Sequence, residues 1–325
     1  MITRRKFLTT SAIFGASVFA RPWEQAYPSS GIAGSLTAPL LVSRRGETLI
    51  TILHTNDTHS QIDPLPPNDA RYPGKGGVAR RATLVKRVRR ENSNTLLIDG
   101  GDVFQGTPYF NFYKGEVEYK AMSAIGYDVG TLGNHEFDNG VDALAAAMQF
   151  AKFDLVSANY DVRGTPLENK VKRYVVRQIK GVRIGLFGLG ISPVGLITPA
   201  NFKGITFIDP VVAAREVVKV LREKERCSMV VAMTHLGYYP EPRAGQIGDS
   251  QVASQVDGID FIAGGHTHTF MEKPVAIKQP SGQETLIFQV GKSGIFVGRV
   301  DFVLRSGRVV AAAGRLLDLR DESLA

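Results

Sequence analysis

Thr48-Leu49-Ile50-Thr51-Ile52-Leu53-His54-Thr55-Asn56-Asp57-Thr58-His59 is the stretch on which the reading of the whole chain turns. Its first half is a β-branched and leucine run, the mark of a strand buried on both faces. Its second half turns polar and ends in Asp-x-His. If the backbone there stays extended, alternate side chains project to one side, so Asp57 and His59 reach one centre. A core strand that delivers an acid and a histidine at its carboxyl end predicts an α/β fold with a site at the strand ends.

The same pattern repeats downstream. Further strands are predicted at 95–98, 128–131, 155–158, 182–186, 229–233 and 261–263. Helices are predicted at 78–90, 117–125, 141–150 and 211–224. Such alternation argues for an α/β domain with stacked or doubly wound sheets. From Glu284 onward the texture changes to short strands and glycine turns (286–290, 295–304, 308–313), expected to be antiparallel strands closing the same domain. There is no internal repeat and no second domain boundary.

Histidine, aspartate and asparagine gather just past strand after strand. Asp102 follows 95–98, Asn134 and His135 follow 128–131, His235 follows 229–233, and His266 and His268 follow 261–263. Glycine precedes several of them, in Gly100-Gly101-Asp102, Gly133-Asn134-His135 and Gly264-Gly265-His266, where it allows a sharp turn and close backbone approach. The chain has six histidines, and five lie in these motifs. The ligand set is nitrogen and oxygen without thiolate, which suits Mn, Zn, Fe or Co and has too many histidines for a site limited to Mg or Ca. Seven protein ligands exceed what one ion takes. Two divalent ions roughly 3.5–4 Å apart, sharing a carboxylate, are expected, as in centres that displace at phosphorus.

The net charge of +8 invites a nucleic-acid reading. The densest basic group, Arg80, Arg81, Lys86, Arg87, Arg89 and Arg90, lies within one predicted helix whose Val78, Ala82, Val85 and Val88 recur at helical spacing. It therefore reads as that helix's wet face. No aromatic residues interleave with it, so duplex binding is not expected. The single cysteine, Cys227, excludes an intramolecular disulfide and is expected to be buried and inert. Residues 1–20, with Arg4-Arg5-Lys6 before a mildly apolar stretch too short to span a bilayer, resemble a twin-arginine export signal ending at Ala20. Export without a membrane anchor, to the periplasm, is the expectation, and the mature chain then carries 8 − 3 = +5. Residues 21–47, rich in Pro, Ser, Gly and Ala, read as a linker, and 48–325 as one catalytic domain.

The chain resembles the calcineurin-like metallophosphoesterases and, within them, the 5′-nucleotidase family. The matching strings are Ile52-Leu53-His54-Thr55-Asn56-Asp57-Thr58-His59, Asp99-Gly100-Gly101-Asp102 with Gln105-Gly106, Leu132-Gly133-Asn134-His135-Glu136-Phe137-Asp138, Thr234-His235-Leu236-Gly237, and Gly264-Gly265-His266-Thr267-His268. The resemblance runs from about Leu49 to the end. It implies a four-layer α-β-β-α sandwich. It implies one metal on Asp57, His59, Asp102 and His268, and a second on Asp102, Asn134, His235 and His266, with Asp102 bridging. His135 becomes a transition-state stabiliser or leaving-group acid, oriented by Asp138, which could also cap the helix that follows. Catalytic roles thus fall to His135, Asp138 and Asn134, assisting a hydroxide held between the ions as it attacks phosphorus in line. His54 reads as structural. Glu136 has no required role and is expected at a surface or turn.

Two departures bear on substrate. The resemblance implies a C-terminal nucleoside-binding domain that this sequence does not contain, and His268 stands where two-domain nucleotidases often carry an amide. The readings are therefore three. The first is an exported phosphomonoesterase acting on 5′-nucleotides, alone or with a separately encoded nucleoside-binding partner. The second is a phosphodiesterase of 2′,3′-cyclic nucleotides or nucleotide sugars. The third is a non-catalytic metal-binding subunit of an exported complex, which the His135–Asp138 pair speaks against.

Overall fold

The computed structural model describes residues 40–240 and 246–319. Its strands in chain order begin with β1 (Glu47–Thr55), β2 (Thr95–Asp99), β3 (Val129–Thr131), β4 (Asp154–Val156), β5 (Tyr160–Asp161), β6 (Val171–Lys172) and β7 (Tyr174–Ile179). They continue with β8 (Val182–Gly190), β9 (Thr206–Phe207), β10 (Met229–His235), β11 (Phe261–Gly264), β12 (Val275–Lys278), β13 (Glu284–Phe288), β14 (Phe296–Arg305) and β15 (Arg308–Asp318). The α-helices are α1 (Val78–Glu91), α2 (Pro108–Tyr113), α3 (Glu116–Ile125), α4 (Gly140–Ala147), α5 (Pro210–Lys219) and α6 (Asp249–Gln255).

Two sheets face each other. One runs β15-β14-β1-β2-β3-β4-β6 and the other β12-β13-β11-β10-β8-β7. Period-two side-chain alternation explains the stacking. Ile50 and Ile52 of β1, Ile98 of β2 and Val129 of β3 meet Ile184, Leu186, Met229, Val231 and Met233 between the sheets. The opposite face of the first sheet, with Leu53 and Leu97, is covered by Leu84, Val85 and Val88 of α1 and Tyr119 and Met122 of α3. On the far face of the second sheet, Phe187, Leu189, Val230 and Ala232 pack on Val211 and Val217 of α5 and Val252 of α6. The result is one α/β domain of four layers, α-β-β-α. Both sheets are buried on both sides, which is why their central strands read as continuous apolar runs.

The strands that matter for function run parallel. β1 pairs parallel with β2, β2 with β3 and β3 with β4. In the second sheet β8, β10 and β11 are parallel in the same way. Their carboxyl ends therefore open on one edge of the sandwich. At the start of α5, Asp209 Oδ1 accepts from the amides of Val211 and Val212 at 2.9 and 3.0 Å, and Pro210 sits at the first helical position. That pairing of cap and proline fixes where the helix starts.

Several expectations needed correction. Arg81 does not lie on a wet face: it is 2% exposed, three and four residues before Leu84 and Val85 on the buried face of α1, with Nη1 3.2 Å from the Tyr127 hydroxyl. Lys86 and Arg90 are exposed as expected, while Arg89 binds Asp128 and the Gly126 carbonyl. β13 is not part of an antiparallel closure alone, since it pairs parallel with β11 and antiparallel with β12. Cys227 is buried, and burial raises its thiol. Leu41, within the expected linker, is buried against Val303 and Ala311. Arg4, Arg5 and the rest of the expected signal lie outside the described residues. Among the described residues no helix is long and apolar enough to cross a membrane.

Candidate metal centre

The five strand ends converge. Among the described residues, two groups of acid and histidine side chains bring ligand atoms within 4.8 Å of one another: Asp57, His59 and His268, and Asp102, His235 and His266. In the first, His59 Nε2 lies 2.9 Å from His268 Nε2, and His268 Nε2 lies 3.3 Å from Asp57 Oδ1. In the second, His235 Nε2 lies 2.9 Å from Asp102 Oδ2. Asn134 joins that group, its Oδ1 3.0 Å from His266 Nδ1. The groups abut: Asp57 Oδ1 is 3.9 Å from both His59 Nε2 and His235 Nε2.

The backbone reaches this arrangement by a route other than the one expected from the spacing. Asp-x-His and His-x-His do not share a side through extended chain. Asp57, His59, Asp102, His266 and His268 all have positive φ, between 47° and 80°. Left-handed backbone at non-glycine residues is costly and persists where the surrounding structure fixes it. Here the fixing bonds are visible. The amides of Asp57 and His59 donate to the carbonyls of Gly101 and Asp102, at 2.9 and 3.1 Å. The His266 amide donates to the Asp57 carboxylate at 3.0 Å. Glycine before the ligands is a matter of space: a Cβ on Gly133 would stand 2.2 Å from Asp102 Oδ1.

The donor set fits divalent cations on a direct observation. His235 is fully buried, and its Nδ1 lies 2.9 Å from the Gly100 carbonyl, which can only accept, so that nitrogen donates. Its Nε2 faces the Asp102 carboxylate, 2.9 Å from Oδ2. A buried nitrogen turned to a carboxylate, on a ring whose other nitrogen is fixed by a carbonyl, is the stance of a metal ligand. The electrostatics agree. Burial opposes charge on His235, yet Asp102 and Asp57 override it and push the imidazole up to about 10. The pocket therefore attracts positive charge strongly enough to protonate a buried ring.

His135 and Asp138 stand beside the groups. His135 Nδ1 is 2.9 Å from Asp138 Oδ2, and its ring centre is 5.5 Å from that of His59. Burial opposes the charged imidazole, but the Asp138 hydrogen bond and Asp102 raise it above its ordinary value. Asp138 bonds His135 as expected and does not take the alternative role of helix cap, since Asn139 holds the N-cap position of α4.

Glu136 is the largest correction. It is neither at the surface nor idle, being 2% exposed. Its Oε2 accepts from the amides of Gly133 and Asp102 at 2.5 and 3.0 Å, and its Oε1 from Val103 at 2.7 Å and Phe104 at 3.4 Å. One carboxylate thus ties the loop after β2 to the loop after β3. Burial, with Asp102 nearby, raises it to about 7. Sequence reasoning also missed Asp249, buried on Thr234 and Gln289, and Asp99, buried on Thr55. The run Asp99-Gly100-Gly101-Asp102 carried a signal for Asp99, as a charge at the end of an apolar strand. His54 is buried as expected, its ring edge-on to Phe261 and Phe288, with neither nitrogen bonded.

Residues 50–270 match the family model described as calcineurin-like phosphoesterase. The chain belongs to the calcineurin-like phosphoesterase family. This is the family that the motif resemblance implied. Over 302 residues it is 33% identical to a 5′-nucleotidase of Vibrio cholerae, covering 86% of this chain and 53% of that protein. It is 32% identical to a trifunctional nucleotide phosphoesterase of Bacillus subtilis over 80% of this chain and 18% of that one. The solved 5′-nucleotidase precursor of Thermus thermophilus superposes with a TM-score of 0.73 at 33% identity, over 83% of this chain and 54% of that one. The chain thus spans about half the length, or less, of these relatives.

Proposed function

We propose that this chain hydrolyses phosphomonoesters, 5′-nucleotides foremost, at a dinuclear centre in which Asp57, His59, Asp102 and His268 hold one ion and Asp102, Asn134, His235 and His266 the other. The observation that carries the reading is two abutting ligand groups with a His135–Asp138 pair beside them. When bound, the two ions supply Lewis-acid charge to the phosphoryl oxygens and lower the pKa of a water nucleophile. The residues do the rest. Asp102 faces His235 through Oδ2 while its Oδ1 accepts from the His135 amide at 2.9 Å, which sets His135 relative to that ligand group. His135, whose charged form the Asp138 hydrogen bond favours, stabilises negative charge in the transition state and delivers a proton to the leaving alkoxide. Asn134 directs its amide at the same phosphoryl group.

Residues 1–20 act as a twin-arginine signal of an exported, periplasmic enzyme, and its catalytic domain extends upstream of residue 48 at least to Leu41, which packs on Val303 and Ala311. The Arg4-Arg5 pattern supports export. A separately encoded nucleoside-binding chain is the partner we propose to seek. Hydrolysis of 2′,3′-cyclic nucleotides or nucleotide sugars is the second reading; the similarity to a trifunctional nucleotide phosphoesterase supports activity on more than one kind of nucleotide ester.

The test is purified protein with Mn²⁺ assayed on 5′-AMP, 2′,3′-cyclic AMP and a nucleotide sugar, with and without chelator. Chelator-sensitive release of phosphate from 5′-AMP is expected to dominate. Faster turnover of a diester establishes the second reading, and no turnover of any overturns both for the chain alone.

A further inference from the structure

A groove of about 480 Å³ opens between residues 61–66 and α2, on the two chain segments that leave the metal groups. Ile62, Pro64, Tyr109, Phe112 and Tyr113 line it. Phe112 is the most exposed large hydrophobic among the described residues, at 80%, and Tyr113 is exposed at 53%. Both stand outward because another aromatic of the helix, Phe110, turns inward and stacks on Phe104 at 5.1 Å.

The two walls belong to the two loops that carry the metal groups. Residues 61–66 follow Asp57 and His59, and α2 follows Asp102. They are joined where they leave the centre: Ser60 Oγ and Thr107 Oγ1 are 2.7 Å apart, and the Thr107 hydroxyl donates to the Ser60 carbonyl at 2.9 Å. Gly106 packs so close that a Cβ there would stand 2.8 Å from the His59 carbonyl. The groove is therefore held in fixed relation to His59.

We propose that this groove is a subsite for a planar aromatic ring in the leaving group of the substrate, such as a nucleobase, stacked by Phe112 and Tyr113. The proposal rests on the phosphomonoesterase reading above. Three physical facts favour this occupant. The volume lies in the range of small-molecule sites, roughly 300–1,000 Å³, and aromatic lining is their usual composition. Stacking of a base on an aromatic ring contributes about 1–3 kcal/mol and needs no sequence-specific donor. At the rim, the Tyr109 hydroxyl donates to Asp63 Oδ2 at 2.8 Å, so that side chain offers negative charge. A carboxylate there repels phosphate and accepts from an amino or ring N–H group. It orients the substrate with its ring in the groove and its phosphoryl end away from Asp63.

The test separates binding from turnover. In the presence of chelator, saturation-transfer NMR reads contact between adenosine and the protein without any catalysis. Transfer to the purine protons is expected for the parent and at least a fivefold loss in Phe112→Ala/Tyr113→Ala; Phe112→Leu, keeping bulk without a ring face, should lose most of it too. With Mn²⁺, the double variant should raise KM for 5′-AMP fivefold or more, change kcat less than twofold, and leave glycerol 2-phosphate hydrolysis unaltered. Equal adenosine contact in parent and variants, or equal losses on both substrates, overturns the subsite. Absence of phosphate release from any substrate, with adenosine contact intact and sensitive to Phe112, overturns the phosphomonoesterase reading and leaves the ring site standing.

Discussion

Replacing Glu136 with glutamine probes how the two halves of the centre are joined. The substitution keeps shape and removes charge. It also puts an NH₂ where one carboxylate oxygen stood. Glu136 accepts from Gly133 and Asp102 through one oxygen and from Val103 and Phe104 through the other. A glutamine can satisfy one of these sides and must turn two donors against the other. The smaller loss leaves the Val103 amide and the weak 3.4 Å Phe104 contact unmet. The larger leaves the Gly133 and Asp102 amides unmet. An unsatisfied buried donor costs about 1–3 kcal/mol, so the total is about 2–5 kcal/mol. The cost appears in folding if the loops stay put, and in metal affinity if they relax, because Asp102 and Asn134 ride on them. Denaturant unfolding in chelator measures the first share, and competitive Mn²⁺ titration the second. About every 1.4 kcal/mol of the second share is tenfold in affinity. The sum is expected to reach at least about 2 kcal/mol, with a loss of kcat. Unfolding and metal affinity both within about 0.5 kcal/mol of the parent would refute the clamp.

Three further outcomes are expected. Burial pulls His54 down to about 3 from the ordinary 6.5; the unfolded chain takes up a proton below about 6.5 and the folded chain does not, so the parent loses stability as pH falls from about 6.5 toward 3, by about 1.4 kcal/mol per pH unit. In chelator, His54→Leu should gain on the parent by about 2 kcal/mol between pH 7 and pH 5 in denaturant unfolding, and parallel curves would show that His54 is not held neutral. Asp138→Asn replaces the charged acceptor that raises His135 with a neutral one, so the basic limb of the kcat–pH profile should move to lower pH and kcat should fall about tenfold or more, toward the roughly 10²–10⁴ range typical of general acids. Chelation should lower Tm by roughly 5–10 °C at metal concentrations near a hundred times Kd, since binding to the folded state alone then contributes about 2.7 kcal/mol; an unchanged Tm would argue that the ligand groups are not loaded.

The architecture was legible in the chain, and so were the residues that the fold gathers into two candidate ligand groups. Runs such as 48–53 and 229–233 are apolar or β-branched at nearly every position, which suits a strand covered on both faces, and polar residues at their carboxyl ends locate the edge where a site forms. His59, His135, His235, His266 and His268 announced themselves because donors of one chemistry recurred at equivalent places. Side-chain direction was not legible, because it depends on φ values imposed by remote hydrogen bonds. Asp57 and His59 look extended in sequence and are left-handed in the fold, fixed by carbonyls of Gly101 and Asp102. Arg81 and Glu136 look like solvent residues because charge usually seeks water. Tertiary structure alone supplies what brings each inside: Tyr127 beside Arg81, and converging amides around Glu136. Asp138 likewise had two local partners available, and the position of His135, held through its amide by Asp102, decided between them. Local pattern is written in the chain. Which buried polar group meets which is settled when strands distant in sequence lie side by side.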